Sequence, residues 1–246
     1  MPNPNEKQVS LDQYLKMVNT GLNSQFVNHY KKNDLCLLSS LCEEYGSDKG
    51  ALKSTGHPYK WAPHTYSDYY SHLFDHCRLY IKKVFECGIG TNNPALKSSM
   101  GPLGKPGASL RVWNDYFPNA IVIGADIDRD ILFQEGRIKT YFVDQTKPQS
   151  IKNFWAETEE KDFDLMIDDG LHTFEAGACL FENSISRLVT NGIYIIEDVT
   201  PGDLLQFKQY FSDKKYHVNF INLLRPSLSL NDNNLIIIKH SNQKTP

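Results

Sequence analysis

Between residues 82 and 198 five short apolar runs, "KKVFECG", "AIVIGADID", "KTYFVD", "FDLMIDD" and "GIYIIED", are separated by loops or by helical patterns such as "ASLRVWNDYF", "PQSIKNFWAE" and "FEAGACLFENSISRLV". Apolar runs of strand length that alternate with helices argue for βαβ units and a parallel sheet. A helical pattern at 203–211 and two further runs, "YHVNFINLL" and "NNLIIIKH", then close the sheet around a turn as an antiparallel edge. The expected fold is therefore α/β, a mostly parallel sheet of seven strands with helices on both faces. A chain of 246 residues suffices for one such domain with an added cap. The division expected is an N-terminal helical and lid segment over 1–63, with a helix at 10–23 and a less regular stretch from 33 to 63, followed by the core domain over 64–246.

In sheets of this kind ligands bind just beyond the carboxyl ends of the strands, near the point where strand order reverses. After the first run stand Glu86, Gly88 and Gly90 in "FECGIGTNNP". The glycines permit a tight turn and a close ligand approach to the backbone. A nicotinamide dinucleotide would want a third glycine opening a helix, where this chain has Asn93 and then Pro94. An acidic residue before the turn suits a cofactor that carries positive charge and no pyrophosphate, as S-adenosylmethionine does. Asp126, ending the second run, is placed to accept hydrogen bonds from ribose hydroxyls, and Asp144 with Gln145 could read an adenine amino edge. The plainer alternatives are an ordinary strand-to-helix turn for Gly88 and Gly90 and a solvated loop or helix start for Asp126, Asp128 and Asp130. A calcium loop starting at Asp126 is excluded by Ile131 and Arg137, where an EF-hand needs Gly and Glu.

The fourth run ends in Asp168 and Asp169, with His172 close behind, and the fifth ends in Glu197 and Asp198. Adjacent parallel strands lie about 5 Å apart, so Asp169, Glu197 and Asp198 can converge. Three close carboxylates repel one another unless they are protonated or bridged by a cation, and an all-oxygen site suits magnesium or manganese. His172, with an ordinary pKa of about 6.5, could then take the proton of a hydroxyl made more acidic by the ion. Asp168 points away from Asp169 if side chains alternate, and it has no assigned role. Read alone, "DDGLH" would more simply be a helix cap with a packed histidine; "IED" on the next run favours the metal site.

Twenty-six Lys and Arg against 29 Asp and Glu give a net charge of −3, so no nucleic-acid partner and no polybasic membrane surface is expected. No span is apolar enough to cross a bilayer, no signal-peptide core opens the chain, and the five scattered cysteines suit a reducing, cytoplasmic setting. His72 and His76, one helical turn apart beside Cys77, lack the adjacent glutamate and third ligand of a zinc site. His57, Tyr59, Trp61, His64 and Tyr66 form an aromatic run that either stacks on a sugar or adenine or packs a lid on the core. Asp48 and Lys49 in "SDKG" read as a polar turn or as part of the site's mouth.

Taken together, "VFECGIG", "ASLRVWNDYFPNAIVIGADID", "FVDQ", "FDLMIDDGLH" and "GIYIIEDV", with "YGSDKG" upstream, resemble the metal-dependent sugar O-methyltransferases of macrolide biosynthesis, the mycinamicin and tylosin type. The resemblance covers about Glu44 to Val199, departs from the family in the 91–107 loop and at Cys87, and does not extend past Thr200. It implies a class I, Rossmann-like methyltransferase fold with S-adenosylmethionine as donor and magnesium as cofactor. Carried onto matching positions, it implies Asp169, Glu197 and Asp198 as metal ligands and His172 as the base. The implied acceptor is a sugar or nucleotide-linked sugar for surface polysaccharide or natural-product biosynthesis, and a homo-oligomer is compatible with the sequence. The alternatives are a nicotinamide-dependent oxidoreductase and a partner protein that binds S-adenosylmethionine without catalysis.

Overall fold

The computed structural model describes residues 26–29, 33, 35–51, 59, 61–225 and 230–241. The helix expected at 10–23 and His57 lie outside the described residues. The strands are β1 (Phe26–His29), β2 (Lys83–Cys87), β3 (Ile121–Asp126), β4 (Gln134–Glu135), β5 (Ile138–Phe142), β6 (Phe163–Asp168), β7 (Leu188–Ile196), β8 (Tyr216–Leu223) and β9 (Asn234–His240). They form one sheet in the order β1-β8-β9-β7-β6-β2-β3-β5-β4. The seven strands expected from the apolar runs make its body. The sheet has nine because short strands are added at both edges: β1 runs parallel to β8, and two-residue β4 folds back antiparallel on β5. Within the body only β9 is antiparallel to its neighbours, β7 and β8.

Among the described residues six helices cover the two faces: α1 (Leu37–Tyr45), α2 (Ser67–Phe74), α3 (Ala108–Tyr116), α4 (Pro148–Thr158), α5 (Phe174–Ser184) and α6 (Pro201–Phe211). Alternation along the strands sorts the core. Val84, Val122, Leu165, Ile167 and Ile195 pack with Leu38, Tyr70 and Trp113 from α1 to α3. Phe85, Ile123, Met166 and Ile196 pack with Trp155, Phe181 and Phe207 from α4 to α6. Helix starts follow from the sequence: Thr173 and Thr200 cap α5 and α6 through their side-chain oxygens, and Pro148 and Pro201 stand in the first turns of α4 and α6.

Two expected boundaries move. The helical pattern at 174–189 breaks at Ser184, because Leu188 is already in register with Phe163 of β6 and a residue in the ladder cannot stay helical. The stretch read as an irregular lid contains α1, whose Leu38, Leu41 and Cys42 are buried in the same core cluster as α2 and α3. Among the described residues, α1 packs in the helical layer over the sheet. All five cysteines are free. No helix among the described residues is long and apolar enough to cross a membrane.

Candidate active site

Chain order departs from β2 in two directions, to β3 and β5 on one side and to β6 and β7 on the other. The crevice expected at such a switch point lies beyond the carboxyl ends of β2 and β6. The ladder continues past these ends and fixes the next residue of each strand: Gly88 N–H donates to Ala125 O (2.8 Å), Asp169 N–H to Cys87 O (2.8 Å), and Glu197 N–H to Asp168 O (2.9 Å). Gly88 has φ +89, and a Cβ there would stand 1.9 Å from the Asp169 carbonyl oxygen, so only glycine lets the two chain segments meet.

A cleft of about 390 Å³ opens above this point. Gly88, Gly90 and Asp126 line one side of it, and Asp169, His172, Glu197 and Asp198 line another. Asp126 already accepts from Ile89 N–H and Asp128 N–H (both 2.9 Å), which fixes the carboxylate while leaving lone pairs for a ligand.

Asp169, His172 and Asp198 each offer a ligand atom within 4.8 Å of the others. The imidazole lies between the carboxylates, Nε2 at 3.3 Å from Asp169 Oδ1 and Nδ1 at 3.5 Å from Asp198 Oδ2. Desolvation works against its charge, but Asp198 and Asp169 outweigh it and push the His172 pKa up to about 10. Both His172 (φ 57) and Asp198 (φ 53) adopt left-handed backbone, a strained state for residues other than glycine that surrounding contacts must hold. Asp198 is held by Tyr66, whose hydroxyl donates to Oδ1 at 2.5 Å, with His64 Nδ1 at 3.3 Å from the same oxygen.

Glu197 lines the cleft but turns both oxygens to other partners, Tyr70 OH on Oε1 and Lys49 Nζ on Oε2. Lys49 Nζ also lies 2.6 Å from Asp169 Oδ2 and 3.3 Å from Glu86 Oε1. Burial alone would discharge this ammonium; Asp169, Glu197 and Glu86 instead hold its pKa well above the ordinary lysine value. Burial raises the carboxyl pKa values of Glu86, Glu197 and Asp198, whereas at Asp169 the neighbouring Lys49 and His172 overcome burial and lower it. Four carboxylates thus stand against at most three cationic side chains, Lys49, His172 and His64. That excess of carboxylate, and the oxygen donors it offers, fit a hard divalent cation at Asp169 and Asp198.

Glu197, expected as a third metal ligand, is thus engaged by Tyr70 and Lys49, and three of the expected cofactor residues have protein partners as well. Glu86 lies beneath the cleft, fully buried, where Oε2 accepts from Ser109 Oγ (2.8 Å) and Trp113 Nε1 (2.9 Å); it ties β2 to α3 and does not line the ligand space. Asp144 turns to Thr146 and Lys147. Gln145 uses both ends of its amide within the protein: Nε2 donates to Asp168 Oδ1 (2.6 Å), and Oε1 accepts from Leu171 N–H (2.9 Å). The reason is the pleat. Asp168 faces the α4 to α6 side, opposite Asp169, and Gln145 stands on that side as its partner. Of the aromatic run, Trp61, His64 and Tyr66 line the cleft; unforeseen are the burial of Lys49 as an ion, Tyr70 of α2 one turn after Tyr66, and Leu230, Asn231 and Asp232, which line the cleft from between β8 and β9. The tyrosines carried the four-residue spacing that places side chains together on a helix, and "SDKG" marked Lys49 for the site's mouth but not for burial; nothing local marked the 230–232 segment.

The sheet order and the position of the cleft are those of the class I methyltransferase fold. The chain superposes on MycE methyltransferase of the mycinamycin pathway, a structure holding Mg, SAH and mycinamycin VI, with a TM-score of 0.59 and 21% identity over 88% of this chain and 57% of that one. A caffeoyl-CoA O-methyltransferase of Staphylococcus aureus matches with a TM-score of 0.52 and 12% identity, over 82% of this chain and 91% of that one. In sequence the chain is 30% identical to the 8-demethyl-8-alpha-L-rhamnosyl tetracenomycin-C 2'-O-methyltransferase of Streptomyces olivaceus, over 76% of this chain and 44% of that protein. It is 28% identical to the mycinamicin VI 2''-O-methyltransferase of Micromonospora griseorubida, over 55% of this chain and 32% of that protein. No family model matches. The chain thus resembles the sugar and macrolide O-methyltransferases, and spans less than half the length of these curated relatives.

Proposed function

We propose that the protein is an S-adenosylmethionine- and magnesium-dependent O-methyltransferase acting on a sugar hydroxyl. The observation that carries this reading is that one cleft joins the glycine turn and Asp126 to the Asp169, His172 and Asp198 cluster. Donor and acceptor would thereby meet in one space. A nicotinamide dinucleotide fits less well, since the glycine turn leads into a loop and α3 begins only at Ala108.

Asp169 and Asp198 would hold the divalent cation, with Glu197 behind them on Lys49. A cation there supplies positive charge that acidifies a nearby hydroxyl, and the donor supplies an electrophilic methyl group. The chain's own residues do the rest. Gly88 and Gly90 admit the donor close to the backbone, and Asp126 accepts its ribose hydroxyls. His172 takes the hydroxyl proton on a ring nitrogen once the negative charge of Asp169 and Asp198 is balanced by something other than its own proton. Tyr66 and His64 keep Asp198 in place meanwhile.

The test is incubation with S-adenosylmethionine and magnesium against a panel of glycosides and nucleotide sugars, read by mass spectrometry. The expected product is heavier by one methyl group and fails to form in excess chelator. Failure of the protein to bind S-adenosylmethionine in calorimetry would reject the reading, and turnover unaffected by chelator would reject its metal.

A further inference from the structure

We propose that Lys49 is a resident counter-ion that holds the carboxylates at the strand ends together and competes with a divalent cation for them. This rests on the metal reading of the site. Nζ is buried, the residue being 4% exposed, and it contacts one carboxylate from beyond β6, one from beyond β7 and one within β2: Asp169, Glu197 and Glu86. These three come from adjacent parallel strands whose ends would repel one another without a positive charge between them.

The backbone puts the ammonium there deliberately. Lys49 C=O accepts from Ser67 N–H at the start of α2 (2.8 Å), and Asp48 C=O accepts from His64 N–H (2.9 Å), so the segment is pinned to the helix that also supplies Tyr70 to Glu197. Asp169 is the shared group. Its Oδ2 takes Lys49 at 2.6 Å, and its Oδ1 faces His172 at 3.3 Å in the cluster suited to a cation. A divalent ion drawn to Asp169 and Asp198 therefore meets an ammonium that already neutralises part of the same charge. Two consequences follow. The metal-free protein keeps its strand ends together, and divalent binding is weaker than the carboxylate count alone would give.

The experiment compares wild type with Lys49→Met, which keeps the stem and removes the charge. Magnesium chloride is titrated into each metal-free protein by calorimetry, and thermal unfolding is followed in chelator and in saturating magnesium. Lys49→Met should bind magnesium about tenfold or more tightly than wild type, the sign set by removing a nearby like charge. Its melting temperature should fall in chelator and recover with magnesium by more than the wild-type shift. A variant folded only in magnesium supports the proposal; a variant unfolded in both conditions overturns it, as does equal or weaker binding while wild type binds. If neither protein binds magnesium, the metal reading falls and this inference with it.

Discussion

Gln145→Ala separates two roles that the sequence left open for this side chain. In the structure the amide bridges Asp168 Oδ1 at 2.6 Å and Leu171 N–H at 2.9 Å, and so clamps the Gly170–Leu171 peptide that leads into the strained His172. Truncation removes one bond to a carboxylate, worth about 1.5–3 kcal/mol, and one neutral bond worth about 0.5–1.5 kcal/mol. Asp168 Oδ2 is already without a hydrogen-bond partner, so its carboxylate would keep only a 3.4 Å contact from Gly170 N–H. The expected loss of stability is about 2–4 kcal/mol. With the clamp gone, His172 can relax from φ 57 toward ordinary backbone, and a misplacement of about 1 Å lowers turnover on the order of a hundredfold. Chemical denaturation, steady-state kinetics and S-adenosylmethionine calorimetry read these effects separately. Turnover should drop while cofactor affinity changes less than about threefold, well under 1.4 kcal/mol. If affinity instead falls tenfold with turnover per bound complex intact, Gln145 touches the cofactor and the clamp argument is wrong.

Burial raises the Asp168 pKa to about 6, above the value of about 3.9 it has when unfolded. A raised folded value means that the folded state binds the extra proton between these limits, so the associated stability is full below about pH 4 and lost above about pH 6. Measured against Asp168→Asn across that window, wild type should lose about 2–3 kcal/mol as pH rises; parallel stability curves would contradict this. His172→Ala should lower turnover by about 10²–10⁴-fold while leaving S-adenosylmethionine binding in place, and a variant with wild-type turnover would remove His172 from the chemistry. Arg225 forms a buried pair with Asp68 and donates to Thr65 Oγ1 at 3.0 Å, so Arg225→Met leaves the Asp68 carboxylate with no cation and only the Asn33 N–H on its other oxygen (2.6 Å). Denaturant titration should show a loss of about 3–5 kcal/mol, and an effect under about 1 kcal/mol would mean that Asp68 finds other partners.

Much of the architecture was legible because it is written in local pattern. The apolar runs that became β2, β3, β5, β6 and β7 are bounded by turn residues, and in β2, β3 and β6 burial on both faces leaves almost no polar side to blur the signal. β4 and β1 were missed for the opposite reason: two and four residues at the sheet edges are too short to show a period. α1 was hidden by its surroundings, since Leu38, Leu41 and Cys42 have helical spacing inside a stretch otherwise dominated by turn formers.

At the candidate site the sequence by itself determined which chemistry stands at which strand end. Gly88 follows β2, Asp126 ends β3, Asp169 follows β6, and Glu197 and Asp198 follow β7, because a strand's end and its next residue are local facts. Even the parting of Asp168 from Asp169 follows from the alternation of a strand. Only the tertiary structure decided how the charges pair. Lys49 and Glu197 are 148 residues apart in the chain, and a buried ion's partner is set by which elements pack together, not by spacing. For the same reason Gln145 is committed to Asp168 and the peptide after it, and Glu197 to a lysine and a tyrosine, while Asp169, His172 and Asp198 face the cleft together.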